Sequence, residues 1–507
     1  MEQKRLKFFA YSPMFGRSHT TFMGALSDAL IEQGHDVVLF APLFSPSNGS
    51  HGTTKARIIE YPTCAAARER EEGTKQEGGI ITDFWQAKGT VGSWEAYRPF
   101  KLVLVEQLKE LLDDKELIAR LRAEKFDAGF SETVDFGSMV FMHLLGIKKY
   151  SLAISVPTYD WGFEITGAPF MASYVPGIMT SFGEQMSFME RIDNLRTLRY
   201  TTKKTEKNEK TFSWMESIYK LFDNMVKPRL PDFPGVKSML ASSSFVFLNT
   251  DPLFDFPRPT VHKVIEIGGI SVDCEPKGLD KHFSSLLSLR PRSVFISFGS
   301  ITTSVLMPEA WKQSIVEVAR RMPDTTFIWK YERPADFPSP PANLVCVEWA
   351  PQVDMLHDRR LSLFITHAGM GSVNEGLRAG VAMIAIPVIG DQFRNAQLLK
   401  RTGAATIYNK FDLGKMSRFE DAVRMAIESK ELKQAADRNA LMLRHRSFAM
   451  KEIFVRNMEF MARFGPLRML DHYGRHLSTL QYYNLDLFLY PAFAVFIVLV
   501  GLFVLLL

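Results

Sequence analysis

At 507 residues the chain is too long for one ordinary core, and two domains are the default expectation. Its composition is that of a globular protein, 46% apolar and 23% charged. A net charge of +5 over this length, with no basic stripe interleaved with aromatics, argues against nucleic acid as a partner.

Taken in chain order, MEQKRLKFFAYSPMFG has the basic start of a signal peptide. Its apolar stretch is too short and merges with the first strand, so no removable leader is predicted. Leu6 to Tyr11 reads as a short strand, Ser12 to His19 as a loop, and the following residues to about Gln33 as an amphipathic helix closed by Gly34-His35. Asp36 to Phe40 is the next strand. Such a βαβ start builds a parallel sheet whose sites lie at the strand C-termini. Phe126 to Phe130, ending at Ser131-Glu132, and Ser151 to Val156 continue the series.

From Pro157 to Lys237 the chain is rich in Phe, Met, Trp and Tyr, then charged and helical around Glu190 to Lys227. This mix suits an irregular apolar pocket under helices, with ordinary packing as the bland alternative. A second α/β series is predicted from near Phe245. It comprises the strand FVFLNT, a crossing at Asp255-Phe256-Pro257-Arg258-Pro259, the strand VIEIGGI, Ser293 to Ser300, a helix from about Met307 to Arg321, and the strands TFIWKY and NLVCVEW. The expected domain boundary lies near Pro252 to Pro259. Helices from about Phe419 to Arg475 follow, and no short-period repeat is present. Leu487 to Leu507 carries no charge. At about 1.5 Å per residue it reaches roughly 31 Å, enough to cross a bilayer core, and Tyr482, Tyr483 and Tyr490 suit the interface.

The segment Trp349 to Gln392 is the most specific. Leu361 to Ile365 reads as a strand that runs into Thr366-His367-Ala368-Gly369-Met370-Gly371-Ser372; a helix with Glu375, a strand from Met383 to Pro387, and Asp391-Gln392 follow. Small residues at a strand-to-helix turn let backbone N–H groups approach an anion, and the helix N-terminus adds positive partial charge. A phosphate group is the expected ligand.

WAPQ, the His-Ala-Gly-x-x-Ser turn, Glu375 and Asp391-Gln392, with FPRP, IGG and SFGS upstream, resemble the donor-binding signature of UDP-glycosyltransferases, in particular the animal UDP-glucuronosyltransferases. The resemblance implies an α/β GT-B fold, two facing Rossmann-like domains with a C-terminal single transmembrane helix. The expected parts are an acceptor domain at 1–254, a donor domain at 255–450, C-terminal helices at 451–486 and a membrane span at 487–507. It also implies that Trp349 stacks on uracil with Gln352 nearby, and that His367, Ser372, Ser300 and the backbone near Gly369 bind the diphosphate. Glu375 would accept from the ribose hydroxyls, and Asp391 and Gln392 would hold the transferred sugar.

By the same resemblance His19 is the general base, an imidazole suited to the role by a pKa near neutrality, and Glu132 is the carboxylate that orients it. Neither a metal nor a cofactor is expected; the UDP-sugar is a co-substrate and the acceptor a small lipophilic alcohol or phenol. The implied site of action is the endoplasmic reticulum membrane, with the catalytic domains lumenal; the lack of a recognisable leader and the basic Arg468 and Arg475 before the span suit the alternative, a tail-anchored protein with cytosolic domains. In the lumenal case Asn48-Gly49-Ser50 would be a glycosylation sequon, and homo-oligomerisation is compatible with this reading. Three positions depart from the family pattern: Ala382 for a proline, Gly371 for an asparagine, and no basic tail after the span. Glucuronate is the first expectation for the sugar and glucose the second, with Arg17 and Arg394 the candidate cations for a uronate carboxylate.

Two other classes were weighed. A nicotinamide-dependent oxidoreductase fails because Gly369-Met370-Gly371 is followed by Gly376 rather than by glycine at the fingerprint position. A non-catalytic, membrane-tethered UDP-sugar binder would bind donor and release no UDP. Elsewhere, His35 reads as a helix end, His143 as part of a packed face, and Lys203 to Lys210 as a solvated run. Cys64, Cys274 and Cys346 show no metal spacing and leave the redox compartment open.

Overall fold

The computed structural model describes residues 4–44, 50–65, 67–69, 84–88, 98–157, 160–202, 214–272 and 276–506. Asn48, Lys203 to Lys210 and Cys274 lie outside them.

Two parallel sheets organise the chain. The first contains β1 (Lys7–Tyr11), β2 (Asp36–Pro42), β3 (Arg57–Tyr61), β4 (Ala128–Glu132), β5 (Tyr150–Ile154), β6 (Val246–Leu248) and β7 (Val264–Glu266), in the order β3-β2-β1-β4-β5-β6-β7. The second contains β8 (Arg292–Ser297), β9 (Thr325–Lys330), β10 (Leu344–Val347), β11 (Leu363–Thr366), β12 (Met383–Ala385) and β13 (Ala405–Ile407), in the order β10-β9-β8-β11-β12-β13.

The strand sequences explain why both sheets are covered on two faces. Along β1, Phe8 and Ala10 enter one core while Phe9 and Tyr11 enter the other. Along β8, Val294 and Ile296 point to one side and Phe295 to the other. Side chains alternate with period two, and a strand that is apolar at every position needs helices on both faces.

One expectation is corrected. The strands around Phe245 and in VIEIGGI do not open the second domain. β6 pairs with β5 through Leu152↔Val246, and β7 pairs with β6 through Val246↔Val264, so both extend the first sheet. The FPRP crossing is therefore a connection within that sheet, and the chain enters the second one at β8. The helix Met450–Phe464 then returns to the first domain, where Phe454 packs edge-on against Phe130 and Phe247.

In each sheet the strand order reverses once, between β1 and β4 and between β8 and β11. Loops at such switch points diverge and leave a crevice at the carboxyl ends of the strands. The helix Asp486–Leu506 contains no buried residue and is long and apolar enough to cross a membrane. It begins one residue earlier than expected, so Pro491 lies past its first turn.

Candidate active site

The loops from both switch points meet around one cavity of about 490 Å³. The first domain contributes Arg17, Ser18 and His19 after β1, Thr133 and Val134 after β4, and Ser155 and Val156 after β5. The second contributes Gly299 and Ser300 after β8, Trp349 to Asp354 after β10, and His367 and Gly369 to Ser372 after β11. Ile389 to Gln392 follow β12. Every site residue expected from sequence lines this cavity except Glu132, which stands behind His19 with its side chain fully buried.

His19 lies in the first turn of the helix Arg17–Glu32 and is itself buried. Its Nδ1 is 2.7 Å from Ser155 Oγ and 3.4 Å from Glu132 Oε2. Glu132 is fixed in turn by two backbone donors, Thr133 N to Oε1 at 3.0 Å and Ser155 N to Oε2 at 3.2 Å. A carboxylate can only accept, so this arrangement favours the proton on Nδ1 and leaves the Nε2 lone pair for an incoming hydroxyl. Ser155 was missed in the sequence because a serine at a strand end carries no pattern of its own.

On the opposite wall, the helix Met370–Ala379 begins at Gly369 with no side-chain cap. Its first N–H groups belong to Met370, Gly371 and Ser372, which all line the cavity, an arrangement that draws an anion. Next to it sits His367, with its ring Nδ1 buried and the backbone of Ser297 alongside. Burial, with the Lys330 ammonium nearby, pushes its pKa down to about 4, so the ring is neutral at pH 7. Gly299 permits this packing: at φ 82° it adopts a conformation natural to glycine, and a Cβ there would lie 2.7 Å from the imidazole. Lys330, also missed from sequence, lines the cavity and donates to Gly299 O at 2.9 Å and to Glu332 Oε1 at 2.8 Å.

One end of the cavity is built from Trp349, Gln352, Ser372 and Glu375. Trp349 is half exposed, with the Arg17 guanidinium 4.0 Å from its ring centre. Gln352 Nε2 donates to Ser372 Oγ at 3.0 Å and to Glu375 Oε2 at 2.5 Å, so that amide holds its neighbours rather than standing free. Burial raises Glu375 to about 7, opposed by the Gln352 hydrogen bond and by the Arg17 charge.

At the far end Asp391 accepts from Asn395 Nδ2 at 2.6 Å. Burial raises it to about 6, opposed by the Asn395 hydrogen bond and by the nearby His19. Gln392 Oε1 takes the N–H groups of Val388 (2.8 Å) and Ile389 (3.0 Å), leaving its amide NH₂ as the remaining donor. The apolar wall of the cavity comes from Phe15, Leu104, Phe136, Ile178, Met179, Met215 and Ile218.

Neither candidate cation is free to pair at Asp391–Gln392, although the Arg394 charge reaches Asp391 and opposes the rise in its pKa. Arg394 is buried in an ion pair with Asp255 at 2.7 Å and lies 4.9 Å over the Phe256 ring, inside the FPRP crossing. Arg17 stands over the Trp349 ring.

Two facing parallel-sheet domains with a polar cleft between their switch points define the GT-B class of glycosyltransferase. Solved structures of this arrangement include the glycosyltransferase of kitacinnamycin (TM-score 0.60, 16% identity, covering 91% of this chain and 99% of that one). A UDP-glucosyltransferase from Polygonum tinctorium is equally similar (TM-score 0.60, 14% identity, 92% and 100%). Among curated sequences, putative UDP-glucuronosyltransferase ugt-48 of Caenorhabditis elegans is 27% identical over 96% of this chain and 91% of its own length. UDP-glucuronosyltransferase 1A7 of Mus musculus is 27% identical over 94% and 86%. The family model "UDP-glucoronosyl and UDP-glucosyl transferase" matches residues 12–506, and the chain belongs to that family.

Proposed function

We propose that the protein transfers a hexosyl group from a UDP-sugar to a hydroxyl of a small lipophilic acceptor, with inversion and without a metal. The observation that carries this reading is the His19 imidazole, held at Nδ1 by Ser155 and Glu132 and facing the anion-binding helix end across one cavity. In the proposed step His19 Nε2 removes the acceptor proton as the acceptor oxygen bonds to the anomeric carbon. The bond from that carbon to UDP breaks, and its electron pair leaves with the diphosphate. His367, Ser372, Ser300, the N–H groups at the helix start and Lys330 meet the growing charge, the kind of preorganised donor set that catalysis rewards. Trp349 and Glu375 hold the uridine, and Asp391 with Gln392 the sugar. The apolar wall selects the acceptor.

Electrostatics favours a neutral hexose, glucose first. Among the described residues that line the cavity, the only lysine or arginine side chains are Arg17, at Trp349, and Lys330, tied to Gly299 and Glu332. A uronate carboxylate beside buried Asp391 would lack a partner, which is unfavourable for a desolvated charge. Glucuronate is the second reading, favoured by the names of the relatives. The helix Asp486–Leu506 would anchor the protein in the endoplasmic reticulum membrane with its domains lumenal, and a glycan on Asn48 would support that orientation.

The test is UDP release by detergent-solubilised protein with a simple phenol, UDP-glucose and UDP-glucuronate being run side by side. The expected result is kcat/KM at least about tenfold higher for UDP-glucose, the effect of about 1.4 kcal/mol of unpaired charge. Preference for UDP-glucuronate would reverse the choice of sugar. Release with neither donor, in protein that binds UDP, would favour the non-catalytic reading.

A further inference from the structure

The two halves of the cavity are joined by a buried polar bridge that the donor signature does not include. Asn374 lies on the helix Met370–Ala379, directly before Glu375. Its Nδ2 donates to Asn249 Oδ1 at 3.1 Å and reaches Asn249 O at 3.4 Å. Asn249 belongs to the other domain, just past β6, and the two residues are 7% and 2% exposed. Asn249 Nδ2 donates to Ser155 O at 2.9 Å, and its Oδ1 also accepts from Gly269 N at 3.2 Å. Ser155 is the residue whose hydroxyl meets His19 Nδ1 and whose N–H meets Glu132.

A continuous line of hydrogen bonds thus runs His19–Ser155–Asn249–Asn374, from the proposed base to the helix that carries Ser372 and Glu375. The IGG segment completes the seat. Gly269 adopts φ 79°, a conformation strained for any L side chain, and the Arg378 guanidinium of that same helix lies beside it. Buried amides that are fully paired fix one relative placement of the surfaces they join, because a slipped arrangement leaves them unpaired.

We propose that Asn249 and Asn374 are positioning residues that set the donor helix in register with the His19 base across the domain interface. The assignment rests on the transferase reading above. It explains why the helix proposed to bind the donor carries an asparagine that meets Asn249, and why Asn249 holds the backbone of Ser155: one side chain touches both walls of the cavity. A displacement of about 1 Å between reacting groups can lower a rate by about 10²-fold without altering how tightly either substrate binds.

The experiment measures kcat, donor KM and UDP affinity by calorimetry for the full chain, Asn374→Ala, Asn249→Ala and the double variant. Asn374→Ala is expected to lower kcat by about 10- to 100-fold, with donor KM and UDP affinity within about threefold. The double variant is expected to be no worse than Asn249→Ala alone, because the two side chains act through one bridge. Retained UDP affinity shows that the variants fold. Wild-type kcat in Asn374→Ala, or kcat and UDP affinity falling together, would overturn the assignment while leaving the transferase reading intact. A wild-type chain that binds UDP but turns over no donor would overturn both.

Discussion

His19→Ala is expected to lower kcat by about 10² to 10⁴-fold and to leave UDP affinity within a factor of about two. The magnitude is that of a removed general base. The selectivity follows from the geometry, since His19 reaches the cavity from the first domain while the proposed nucleotide contacts come from the second. The Glu132 carboxylate and the Ser155 hydroxyl both meet the imidazole at Nδ1, so Glu132→Gln and Ser155→Ala should each give a smaller loss with the same unchanged UDP affinity. Equal losses of kcat and UDP affinity in His19→Ala would show that the residue supports the cleft rather than the chemistry.

Glu375→Gln is expected to weaken UDP binding by about 10- to 100-fold at pH 8, the worth of one charge-assisted hydrogen bond. It should also remove the part of the wild-type pH dependence that exceeds the titration of UDP itself. Burial raises Glu375 to about 7 in the free protein. Ribose hydroxyls donate to a carboxylate, so binding favours the charged form and lowers this pKa in the complex. Above pH 7 the group is already ionised and binding is at full strength. Below pH 7 a proton must leave first, and affinity should fall by up to about tenfold per pH unit. Calorimetry with UDP between pH 8 and 5.5 reads both effects, the Gln variant correcting for titration of UDP itself. UDP rather than the UDP-sugar is the right ligand, because Asp391, raised to about 6, is the residue proposed to hold the sugar. A wild type with the same pH dependence as the Gln variant would mean that Glu375 does not take the ribose.

Most of this site was legible in the sequence because it is concentrated at two strand-to-helix turns. There small residues, a histidine and a following acid have narrow chemical uses, and His367, Ser372, Glu375, Asp391 and Gln392 all line the one cavity. The limits have physical causes. A three-residue strand such as β6 or β7 announces that it is a strand but not which sheet it joins; pairing partners are set by tertiary packing. Arg394 is a cation two residues from Gln392 in sequence, but its side chain is consumed by Asp255, 139 positions earlier, within the FPRP crossing. Ser155, Asn249 and Lys330 are ordinary polar residues at strand ends, and only the fold brings them to His19, Asn374 and His367.

The most direct measurement of the central claim is the anomeric configuration of the product formed from UDP-α-glucose and a phenol, read by proton NMR from the coupling of the anomeric proton. One displacement, with His19 deprotonating the acceptor on the face opposite UDP, predicts the β-glucoside. An α-glucoside would contradict single-step inversion and with it the role assigned to His19.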